Sequence, residues 1–94
     1  MEGKAKEAFD AWFEKEYRYF TTVNSENVDN RIIVEWLDSV AIIIEIGIHQ
    51  RIRDLNMWRG KINNILFDDL EYKVSRQEAT EAAIKKAVEI YNNR

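Results

Sequence analysis

The 94 residues contain no cysteine and no proline, and glycine occurs only at positions 3, 47 and 60. Without thiols there is no disulfide, no thiolate nucleophile and no cysteine-based zinc site, and a reducing, cytoplasmic compartment is the expectation. Without proline or glycine-rich stretches no linker or low-complexity tract divides the chain, so residues 1–94 are expected to form a single domain. Long apolar runs are also missing. The longest, Val40 to Ile44, is far too short to span a bilayer, and Met1 to Glu7 has no apolar signal core, so neither secretion nor membrane insertion is expected. Positive charge is in deficit: 14 basic against 17 acidic residues give a net charge of −3, which argues against a general affinity for nucleic acid or an anionic membrane.

Apolar side chains make up 46% of the residues, with three tryptophans, four tyrosines and four phenylalanines, enough for a chain of this length to fold alone. Ala5, Ala8, Phe9, Trp12, Phe13, Tyr17 and Phe20 recur at helical spacing and predict a first helix over 4–20. Ser25 is a candidate N-cap for a second helix over 26–38, in which Val28, Ile32, Trp36 and Val40 follow at steps of four. The period then drops to two. Ile42, Ile44, Ile46 and Ile48 alternate with other residues and predict a strand of β-branched side chains. A polar loop over 49–56 leads to a second strand over 57–62, and Leu70, Tyr72 and Val74 predict a short third. Ser75-Arg76-Gln77-Glu78 has the pattern of a capping box, with Val74 and Ala79 as its hydrophobic staple, so a last helix starts at Arg76 and buries Ala83, Ile84, Ala87, Val88 and Tyr91. The expected fold is α+β and two-layered, in the order α-α-β-β-β-α, with a three-stranded antiparallel meander and the helices packed on one face.

No catalytic constellation is present. His49 is the only histidine, no Gly-x-Ser-x-Gly elbow surrounds any serine, and Ser75 is accounted for as a helix cap. Asp68, Asp69 and Glu71 lack the spacing and glycine of a calcium loop, and no phosphate-binding glycine loop occurs. A non-enzymatic protein without cofactor or metal is therefore expected. The charge, however, is uneven. Residues 47–65 hold Arg51, Arg53, Arg59 and Lys61 against one acid, Asp54. With Trp58 they form a basic, aromatic hairpin on an acidic body, suited to phosphate contact and base stacking or to an acidic protein groove. On the first helix the aromatic arc spans about 160° at 100° per residue, wider than one core requires, so Tyr17 and Tyr19 are candidate partner contacts beside Arg51, Arg53, Trp58, Arg59 and Lys61.

Residues 74–87, with Arg76, Ala79 and an alanine-rich inner face, resemble the last helix of double-stranded-RNA-binding domains, which follows a meander of three strands. That resemblance implies RNA phosphate contacts at the helix start and adds Arg76 to Arg51, Arg53, Arg59 and Lys61 as an alternative nucleic-acid site. Gln77 and Thr80 stand where that family usually has lysines. Across the whole chain, the aromatic first helix, Trp36-Leu37-Asp38-Ser39-Val40 running into the isoleucines, and the closing helix over 76–87 are similar to small proteins encoded by bacteriophages and other mobile elements. The resemblance implies a role in binding a host protein or protein–nucleic acid complex, for example as an anti-CRISPR-like inhibitor of a defence nuclease.

Overall fold

The computed structural model describes residues 1–17 and 29–94. Their elements run α1 (Gly3–Tyr17), α2 (Asn30–Ser39), β1 (Ile44–Ile52), β2 (Leu55–Ile62) and α3 (Arg76–Asn92), an α+β arrangement in the order α-α-β-β-α. The sheet has two antiparallel strands, which corrects the expected three-stranded meander. Residues 70–74 meet the sheet at one bridge, where the Trp58 N–H donates to the Lys73 carbonyl at 2.7 Å and the Lys73 N–H to the Trp58 carbonyl at 2.8 Å. The alternation there has no buried face: Leu70 turns into the core while Tyr72 and Val74 stay exposed. Ser75 is already committed to the next helix, so no residues remain to extend the bridge into a ladder.

Ser75 caps α3 as expected, its Oγ accepting from the Glu78 N–H at 3.1 Å. Val74 is 62% exposed and does not staple onto the buried Ala79. Helix α2 is capped by Asp29, whose carboxylate accepts from the N–H groups of Arg31 and Ile32, and it starts at Asn30, later than expected. Ser25 lies outside the described residues. A hydrogen bond from Arg31, reinforced by the backbone N–H of Ile32, holds the Asp29 carboxyl below its ordinary pKa.

The end of α2 explains why the strand begins at Ile44 and not at Ile42. Ala41 adopts φ 64°, the Ile42 N–H donates to the Leu37 carbonyl at 2.9 Å and the Ala41 N–H to the Asp38 carbonyl at 3.1 Å. This is a Schellman turn, and Ile42 and Leu37, both fully buried, form the apolar contact that accompanies it.

Helix α3 lies across one face of the hairpin. The approach at Gly60 is so close that a Cβ there would stand 2.9 Å from the Cβ of Ala83 and 3.0 Å from the Cδ1 of Ile46. Between this layer and the other two helices lies a core that includes Phe9 and Phe13 of α1, Trp36 and Leu37 of α2, Ile62 of β2, and Ile84, Ala87 and Val88 of α3. Trp36 is its hub, edge-on to Phe9 at 5.7 Å and to Tyr91 at 5.1 Å. Asn92 joins the two ends of the chain, accepting from the Ala5 N–H at 2.7 Å and donating to the Glu2 carbonyl at 3.1 Å.

Candidate functional site: the projecting hairpin

The hairpin outruns the helices that cover it. Residues 49–56, expected as a loop, mostly belong to the strands, and the connection shrinks to Arg53 and Asp54, at φ 50° and 68°. Positive φ at both central residues gives a two-residue turn whose twist matches that of paired strands. Every residue from Ile48 to Asn56 is exposed. Ile48 at 54%, Ile52 at 45% and Leu55 at 58% therefore face water, with Ile52 and Leu55 paired directly across the ladder. Arg51 stands beside them, 3.8 Å from the Asp54 carboxylate, and more than half of its side chain is exposed. The tip thus combines aliphatic area with Arg51 and Arg53, and a β-bulge between Ile48 and Gln50 marks where it leaves the body.

Nearer the body, alternation along the strands places Gly60 and Ile62 toward α3, and Arg59 and Lys61 on the opposite face. There Arg59 is half-buried and held. Its Nη2 donates to the Phe67 carbonyl at 2.8 Å, its guanidinium carbon lies 5.2 Å from the Tyr72 ring centroid, and Tyr72 in turn packs against His49 at 5.3 Å. Its Nε is buried and has no hydrogen-bond partner among the described residues. Lys61 is exposed opposite Glu45. His49, Arg59, Lys61 and Leu66 contribute to an open groove of ≈ 230 Å³. Trp58 points to the helix side and is half-buried, so its ring is only partly available for stacking.

Arg76 stands elsewhere. With Arg31 it rims a second cleft of ≈ 670 Å³ floored by Val34, Ile44 and Ile46, between the N-terminal halves of α2 and α3 on the helix side of the sheet. The sheet therefore separates Arg76 from Arg59 and Lys61, and the five basic residues of the alternative nucleic-acid site do not form one surface. Tyr17 is half-buried, stacked on Phe13 at 5.0 Å, and its hydroxyl donates to Glu35 at 3.1 Å, tying α1 to α2. Loss of contact with water and this bond to the carboxylate push the Tyr17 phenol up. Tyr19 lies outside the described residues.

The exposed Ile52 and Leu55 carry no clear sequence signal as site residues, because Arg53-Asp54 is not one of the asparagine–glycine-type pairs that mark a two-residue hairpin turn. The His49–Tyr72–Arg59 stack carries no local signal at all, since Tyr72 reaches it through the bridge at Lys73. Among the described residues no group of three or more histidine, aspartate and glutamate side chains could hold a metal ion, and no helix is long and apolar enough to cross a membrane. Comparison of the chain with protein-family models, with curated proteins and with solved structures finds no match.

Proposed function

We propose that this chain is a non-enzymatic binding protein that docks its β1–β2 hairpin on an acidic, partly apolar surface of another macromolecule. The observation that carries the proposal is the tip itself, where Ile52 and Leu55 are left in water beside Arg51 and Arg53. Adjacent exposed aliphatics surrounded by arginine suit an interface, in which apolar area supplies affinity and charge supplies steering. In the mobile-element setting implied by the sequence resemblance, the partner is a host protein or protein–nucleic acid complex, and a defence nuclease is the first class to test. A double-stranded-RNA mode receives less support, because Arg76 and the hairpin cations face different sides of the sheet.

The test is capture from nuclease-treated bacterial lysate by the wild type and by an Arg51→Glu, Arg53→Glu variant, which keeps Lys61 opposite Glu45, with RNA-duplex binding measured alongside. Arg59 is left intact because it anchors the segment over 67–72. The variant should keep its thermal melt and lose the captured protein. Equal capture by the variant would overturn the hairpin assignment, and RNA binding with a steep salt dependence would move the function to nucleic acid.

A further inference from the structure

The outer edge of β1 is unpaired among the described residues, and its side-chain order is self-complementary. Trp58 turns its N–H and carbonyl away from β1 toward Lys73, and Ile62 exchanges both of its bonds with Ile65 at 3.0 and 2.9 Å. Their ladder partners Ile48 and Ile44 must then direct their own N–H and carbonyl groups to the free side, and Ile46 follows by alternation. Six backbone groups over 44–48 thus form an edge that carries no proline or lysine, and the bulge begins only beyond Ile48.

We propose that a second copy of this chain pairs antiparallel along this edge, with Ile46 on the two-fold axis, to give a continuous four-stranded sheet. In that register Ile46 meets Ile46 of the second copy, Ile44 meets Ile48, and all six outward groups are satisfied. On the other face Glu45 falls opposite Gly47, so no like charges meet, whereas an axis at Glu45 would oppose two carboxylates. The isoleucines of the added strand continue the apolar floor that Ile44 and Ile46 give the larger cleft. The two hairpin tips point in opposite directions and stay free, so this assembly is independent of tip docking.

Gly47 provides the test. A Cβ there meets nothing within 4 Å, so a folded monomer has room for a longer side chain, which in the dimer stands against Glu45 of the second copy twice. Sedimentation velocity over a concentration series should show a dimer for the wild type. Gly47→Glu should weaken it about fivefold and Gly47→Lys should tighten it by a similar factor, with thermal melts confirming that both variants fold. A wild type that stays monomeric at every concentration, or two variants that shift the dimer in the same direction or not at all, would overturn the proposal.

Discussion

At the residue scale, Ala41 is the clearest point where a side chain and its backbone disagree. Its φ of 64° is the left-handed conformation in which a Cβ crowds the neighbouring carbonyl, at a cost of about 1 kcal/mol. The Schellman bonds and the Leu37–Ile42 contact hold it there. Ala41→Gly should therefore raise stability by about 0.5 to 1 kcal/mol in urea unfolding, and an unchanged or lower midpoint would mean that the turn is not strained. The sequence gives no hint of this turn, because an isoleucine run after a helix reads as a strand from its first residue. Ser75 was readable because an N-cap bonds within its own turn, to the Glu78 N–H, and needs no distant partner. Arg59 shows the opposite case. Its charge and exposed-strand spacing mark it as a surface cation, but the Phe67 carbonyl and the Tyr72 ring make it part of the support for the segment that bridges β2 at Lys73.

At the element scale, all three helices were foreseeable from their apolar stripes, and α3 was placed to the residue at its start. The strands were harder. Alternation identified β1 but failed for residues 70–74, where period two reflects chance spacing with no buried face, and a single bridge at Lys73 replaces a strand. It also missed the polar half of the hairpin, since residues exposed on both faces have no reason to alternate. Register there depends on the turn. Arg53 and Asp54 both sit at positive φ, where asparagine and glycine are the favoured pair. Replacing Arg53-Asp54 with Asn-Gly should stabilise the hairpin by about 1 kcal/mol, read as a higher melting temperature and slower amide exchange over residues 48–58. Faster exchange would show that the turn has a different geometry.

For the whole molecule, the division of labour follows from where the helices stop. Aromatic α1, α2 and α3 enclose Trp36, cover one face of the sheet around Gly60 and leave the hairpin from Ile48 to Asn56 outside. Under the proposed function, stability and binding are carried by separate residues, so changes at the tip should alter partners without altering the fold. The charge imbalance between residues 47–65 and the rest of the chain was visible from composition alone. That Arg51 and Arg53 share their surface with Ile52 and Leu55, and that Arg76 does not, depends on strand pairing and helix placement that no local pattern encodes. The most direct measurement places a photo-crosslinking amino acid at Leu55 in one variant and at Lys85, on the exposed side of α3, in another, and compares adducts formed in bacterial lysate. The account predicts a discrete adduct from position 55, lost when Arg51 and Arg53 are also changed to glutamate, and none from position 85. Adducts from position 85 with none from 55 would contradict it.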